Sequence, residues 1–156
     1  MTPNPVRPAR RADVSALVTL WVDLLEQHAA LDAVFELRAG AASALESELA
    51  RAIDDADRAL LVSDGAQIAG FCAAQVQRGP ALAAESHRVE ITELVVATSA
   101  RRRGHGRALA EAALDWARAR GVARVEVRVA SRNANGQAFW RSLDFGPFVD
   151  VLDRRL

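Results

Sequence analysis

The feature that most restricts the folds open to this chain is an abrupt change of periodicity between Glu90 and Gly121. A run rich in Val, Ile, Thr and Leu, Arg88 to Ala97, leads into the basic turn Arg101-Arg102-Arg103-Gly104-His105-Gly106. Beyond it, Leu109, Ala110, Ala113, Leu114, Trp116 and Ala117 recur on one face of a helix, and Gly121 is a fitting stop. Two glycines two apart let the backbone turn tightly, so successive N–H groups can converge on one point. A helix opening there adds unpaired N–H donors and the positive end of its dipole. With arginines alongside, the product is a pocket for a diphosphate. Taken alone, the turn reads equally as three solvated arginines. A dinucleotide fingerprint would need a glycine where Leu109 stands and an earlier βαβ unit, and a Walker A loop would need Gly-Lys-Ser/Thr.

The remaining periodicities fill in a single domain over residues 1–156. A short extended piece surrounds Val6. Asp13 is placed to cap a first helix whose Val14, Leu17, Val18, Trp21, Leu24 and Leu25 share a face. Ser43-Ala44-Leu45-Glu46 has the form of a capping box, followed by Leu49 and Ile53 on a stripe. Ala59 to Val62, the hairpin signal Asp64-Gly65, and Gln67 to Val76 predict paired strands. Arg78 to His87, with Gly79-Pro80, is a loop. Val122 to Val129 alternates as a strand, Asn135 to Leu143 predicts a short helix, and Phe148 to Leu152 a closing strand. This order predicts an α/β (α+β) domain built around one mixed sheet flanked by helices.

Composition narrows the function. Lys+Arg and Asp+Glu both number 20, so the formal charge is zero, which speaks against an electrostatic grip on nucleic acid or membrane. The lone Cys72 sits in an apolar run, excludes an internal disulfide framework and reads as a small buried hydrophobe. No apolar h-region follows Met1-Thr2-Pro3-Asn4-Pro5, and no apolar stretch is long enough to span a bilayer. The expectation is a reducing, cytoplasmic setting.

The turn's surroundings break the tie. Arg101, Gly104 and Gly106, after a strand and opening a helix, match the Arg/Gln-x-x-Gly-x-Gly/Ala signature of the GCN5-related N-acetyltransferase (GNAT) family, which this sequence resembles. Leu94-Val95-Val96 stands where that family's cofactor-binding strand ends. Ser131-Arg132-Asn133, then Ala138-Phe139-Trp140-Arg141-Ser142-Leu143-Asp144-Phe145, looks like its Asn-to-aromatic-to-Gly-Phe segment. The resemblance is weak before residue 59 and good after residue 88. It implies a largely antiparallel mixed sheet with an acyl-CoA N-acyltransferase fold. It further implies acetyl-CoA as cosubstrate, no metal, and a small-molecule or peptide amine as acceptor. A homodimer follows from family analogy alone.

Residue by residue, the resemblance implies that N–H groups from Arg102 to Arg107 (Arg102, Arg103, Gly104, His105, Gly106, Arg107) hold the diphosphate of coenzyme A, with Arg101 opening the motif. The Val96 backbone would pair with the pantetheine arm beside Val95. The Leu94 N–H would face the acetyl carbonyl, and Asn133 would contact the cofactor where the adjacent strand splays away. Attack by an amine needs the amine neutral, so a base is required. Glu90 and Glu93 are the candidates, with Glu90 slightly preferred, acting through water. An unbroken strand would put the two on opposite faces, whereas a bulge would change that register. Trp140 stands where many family members have a tyrosine acid, and this chain contains no tyrosine. An indole N–H donates a hydrogen bond but cannot protonate a thiolate at neutral pH. Asp144 replaces the usual glycine before Phe145. These departures leave cofactor binding intact and make a weakly catalytic acyl-CoA-binding module the alternative reading. His105 and His87 read as packed or solvated, and His28 as a cap of the first helix, with a place in the acceptor pocket as its other reading. The acceptor site is expected to draw on Leu24 to Arg38 and on the loop from Arg78 to His87.

Overall fold

A computed structural model describes residues 4–156. Strand β1 (Val6–Pro8) is followed by helices α1 (Val14–Ala29) and α2 (Ala41–Ile53). Strands β2 (Arg58–Ser63), β3 (Gly70–Arg78) and β4 (His87–Val96) then precede helix α3 (His105–Arg118). Strand β5 (Val125–Val127) and helix α4 (Ala134–Arg141) complete the regular structure. The five strands form one sheet in the order β1-β2-β3-β4-β5. All neighbours are antiparallel except β4 and β5, which run parallel. The mixed, largely antiparallel sheet is as expected.

Both faces of the sheet are covered, which is why β2 and β3 read as nearly continuous apolar runs. Leu60, Val62, Phe71, Ala73 and Val95 pack against Leu17 and Leu20 of α1 and Leu49 of α2. On the opposite face, Leu61, Cys72, Val89 and Ile91 meet Leu109, Ala110 and Ala113 of α3 together with Trp140 of α4. Leu109 is fully buried, so Leu109→Ala would cost about 2–5 kcal/mol through lost transfer energy and a residual cavity.

Several local expectations are corrected. Asp13 precedes α1 but makes no side-chain cap bond to it. Its carboxylate instead accepts from the Arg10 N–H at 2.7 Å and pairs with Arg7 at 2.7 Å. Ser43 lies inside α2, which begins two residues earlier behind Gly40 in a left-handed conformation (φ 77°), so no capping box forms. The strand expected over Val122–Val129 contracts to Val125–Val127. No strand forms at Phe148–Leu152, where the apolar side chains stay exposed, Phe148 at 70% and Leu152 at 93%. That segment finds no sheet edge to pair with. It is held by the Arg124 guanidinium over the Phe148 ring and by an Arg155–Asp32 ion pair at 2.6 Å.

Candidate functional site

Strand β4 has a defect and an opening at the same place. Ala73 pairs with Glu93 while its neighbour Ala74 pairs with Ile91, so Thr92 is an extra residue, a β-bulge. On the other side, β5 accompanies β4 only from Val89 to Ile91. From Thr92 to Val96 the β4 edge facing β5 is therefore free of strand pairing, and the two strands diverge. The bulge re-aims the side chains. Val89 and Ile91 before it, and Leu94 and Val96 after it, all pack toward α3, whereas Val95 packs toward α1 and α2. Glu90 and Glu93 consequently share the α1/α2 face despite their odd spacing.

The two carboxylates sit in different environments. Glu90 accepts from Gln77 Nε2 at 2.9 Å and lies 3.3 Å from the Arg128 guanidinium, which itself is mostly in solvent. Glu93 has no ion-pair partner among the described residues and accepts only from the Thr92 hydroxyl. Burial pushes the Glu93 carboxyl above its ordinary range, against the Thr92 hydrogen bond and the nearby Arg58, with Glu90 and Glu48 adding a smaller push in the same direction.

The free edge of β4 runs toward the turn. Arg102 (φ 62°) and Gly104 (φ 88°) both adopt the left-handed conformation, one at the cost of strain and the other freely. The first bond of α3 runs from the Ala108 N–H to the Gly104 carbonyl at 3.0 Å. The N–H groups of Arg102 through Arg107 meet no acceptor among the described residues. Six consecutive donors at a helix start make an anion cradle. Two contacts brace it: Asn4 Nδ2 donates to the Arg103 carbonyl at 2.8 Å, and His105 Nδ1 lies 2.8 Å from the hydroxyl of the fully buried Ser63. His105 thus ties α3 to the end of β2. A Cβ at Gly106 would touch Phe139 at 3.4 Å and Val96 Cγ2 at 3.6 Å, filling the space between cradle and strand.

The flanking side chains are divided between cradle and scaffold. Arg101 donates from Nε to the Val96 carbonyl at 3.3 Å and from Nη2 to Gln27 Oε1 of α1 at 2.6 Å. Arg107 lies 3.7 Å from Glu111. Asn133 accepts the Gly136 N–H at 2.9 Å as the cap of α4, which leaves its Nδ2 as the uncommitted half of the amide. Trp140 is only 7% exposed and packs edge-on between Phe139 and Phe145, each ring centroid 5.0 Å away. Cys72 is buried and its thiol is pushed far up by desolvation, so it is no nucleophile at neutral pH.

A cavity of about 520 Å³ opens between α1, α2 and the segment joining them. Phe35 in its wall meets the His28 ring edge-on at 5.3 Å, and His28 Nδ1 lies 2.9 Å from the Leu24 carbonyl within α1. Sequence reasoning pointed to Leu24–Arg38 as this wall but missed Leu45 and Glu48 of α2, which line it too. A glutamate on the polar side of an amphipathic stripe carries no signal of its own. Glu48 stands in the cavity wall and accepts from Arg58 of β2 at 2.5 Å.

The comparisons with known proteins agree with this geometry. No curated protein sequence matches significantly. Among solved structures, a mutant of the BH1408 protein from Bacillus halodurans is 22% identical with a TM-score of 0.87, over 97% of this chain and 99% of that one. The apo aminoglycoside antibiotic 6'-N-acetyltransferase AAC(6')-IG from Acinetobacter haemolyticus is 17% identical with a TM-score of 0.76, over 97% of both chains. Aminoglycoside N-acetyltransferase AAC(6')-Iy in complex with CoA is 16% identical with a TM-score of 0.79, over 97% of this chain and 93% of that one. The family model described as Acetyltransferase (GNAT) family matches residues 17–145, the span that holds the bulged strand, the cradle and the capped helix beyond it, and this chain belongs to that family.

Proposed function

We propose that the protein transfers the acetyl group of acetyl-CoA to a primary amine by direct attack within a ternary complex. The observation that carries this reading is a run of six N–H groups, Arg102 to Arg107, that meet no acceptor among the described residues, following a β4 edge without strand pairing from Thr92 to Val96 among those residues. The first can hold a diphosphate and the second can continue a hydrogen-bonded ladder onto an extended amide chain, which is how coenzyme A is built. The names of the structural neighbours, two of them aminoglycoside acetyltransferases and one in complex with CoA, support the same reading.

When bound, acetyl-CoA supplies an acetyl group activated as a thioester. The protein's part is to hold, orient and move a proton. The cradle N–H groups take the diphosphate, with Arg101 and its neighbours adding charge. Val96 pairs with the pantetheine amides, so the Arg101 guanidinium gives up the Val96 carbonyl it now holds. Asn133 donates from Nδ2 at the splay. The Leu94 N–H is the donor for the acetyl oxygen, a contact whose loss costs roughly 3–4 kcal/mol of barrier in comparable sites. Glu93 is the base: its carboxyl has no ion pair among the described residues and desolvation holds it above its ordinary range, which suits it to take a proton from an ammonium, whereas Glu90 is engaged by Gln77 and Arg128. Glu90 relays that proton toward solvent. With Trp140 enclosed in the core and no tyrosine in the chain, the departing thiolate takes its proton from water.

The test is paired. Calorimetry with coenzyme A should show one site per chain, and thiol release from acetyl-CoA should accelerate when a primary amine is added. Binding without release for any amine would leave an acyl-CoA-binding module in place of an enzyme. Absence of binding would remove both.

A further inference from the structure

We propose that the acceptor is a primary amine with an apolar body and no second positive charge, seated in the cavity between α1 and α2. The inference rests on the transfer reading above and narrows it.

The wall of the cavity is the first argument. Leu25, Phe35, Leu37, Ala41, Ala44 and Leu45 face it, and its volume of about 520 Å³ falls within the range of about 300–1,000 Å³ usual for small-molecule sites. Leu25, Phe35, Leu37 and Leu45 are half-buried rather than exposed, so an occupant's carbon skeleton would complete their burial.

Charge is the second argument. The charged side chains on the wall are Glu36, Arg38, Glu48 and Arg51. Glu48 is already neutralised, accepting from Arg51 at 2.9 Å and from Arg58 at 2.5 Å. That leaves Glu36 as the carboxylate of the wall without an ion pair among the described residues, with Arg38 on the same wall. A polycation needs a carboxylate for each ammonium it desolvates, and two wall guanidiniums repel it. The cavity offers a polyamine or an aminoglycoside no such set. One amine is catered for: Glu48 borders the cavity, its partner Arg58 stands in register with Gln75 and through it with Glu90, and Glu93 lies on that same face of the sheet beside the bulge. On this proposal the amine points along that face toward Glu93 while its apolar body remains between α1 and α2.

A homologous series tests this. The probes are n-alkylamines from propylamine to hexylamine, with neamine as the polycation, and the readout is thiol release from acetyl-CoA. The chain contains no lysine, since every basic residue other than histidine is arginine, so background self-acetylation is confined to the N-terminus. KM should fall about four-fold for each added methylene until the cavity is filled. Neamine should be used at least about ten-fold less efficiently than hexylamine. Leu45→Glu should abolish the chain-length gain without altering affinity for coenzyme A. Leu45→Gln serves the same purpose should the charged variant fold poorly, with thermal melting as the control. A KM independent of chain length, or neamine preferred over hexylamine, overturns the acceptor class and leaves the transfer reading standing. No release with any of these amines, while coenzyme A still binds, likewise overturns the acceptor class.

Discussion

At the residue scale, Glu90 and Glu93 show how one chemical group acquires two characters. Glu90 is tied to Gln77 and Arg128, whereas Glu93 is half-buried with a single hydroxyl as hydrogen-bond partner. A carboxyl whose folded pKa lies above its unfolded value near 4.5 binds its proton more tightly in the native state. Its effect on stability is favourable below the unfolded value and is lost as pH rises through the folded one. Above that point the buried charge is a standing cost. Glu93→Gln should therefore raise the melting temperature at pH 8 and change it little at pH 4, each kcal/mol appearing as about 2–4 °C. The same variant should lower turnover by about 10²-fold or more and remove the acidic limb of the pH–rate profile, whereas Glu90→Gln should leave that limb in place. Equal effects of the two substitutions would refute the assignment. The face shared by the two side chains was not legible beforehand. Their odd spacing implies opposite faces, and only the extra residue Thr92 reverses this.

At the element scale, the strand–turn–helix from β4 to α3 was the most legible part of the chain. Its glycines, arginines and helical stripe are consecutive, so local sequence dictates local geometry. Substitutions there should separate binding from folding. Gly104→Val puts a β-branched residue at φ 88°, costing about 1–2 kcal/mol of strain and disordering the cradle. Gly106→Leu meets no prohibitive backbone angle; its side chain instead enters the space between Phe139 and Val96 where the pantetheine would lie. Both should weaken coenzyme A binding at least about ten-fold by calorimetry, with Gly106→Leu keeping a near-native melting temperature. Unchanged affinity in Gly106→Leu would place the cofactor elsewhere. Less legible was β5. Alternation over Val122–Val129 describes eight residues able to form a strand, but pairing requires a partner, and β4 remains alongside for three of them. The capping box failed for a related reason. Ser43-Ala44-Leu45-Glu46 has the right spacing, yet Gly40 in its left-handed conformation lets the helix begin earlier.

At the scale of the whole molecule, two apolar clusters lie on opposite faces of one sheet, and the candidate site occupies the rim where β4 and β5 part. The last ten residues contribute little to either cluster. Their contacts include a cation over the Phe148 ring and the exposed Arg155–Asp32 pair, and exposed pairs are worth about 0–1 kcal/mol. Ending the chain at Gly146 should shift the melting temperature by less than about 4 °C and leave coenzyme A affinity unchanged. A larger loss would mean that the segment is part of a strand shared between two copies. Fold class and family were legible in the amino-acid sequence alone, because they rest on periodicities of 2 and 3.6 and on motifs of neighbouring residues. Which glutamate lacks an ion pair among the described residues, where the strands separate and what lines the cavity between α1 and α2 were decided only by tertiary structure. Those properties depend on Thr92, Arg58, Glu48 and Leu45, residues far apart along the chain whose meeting is set by the packing of helices on a bulged sheet.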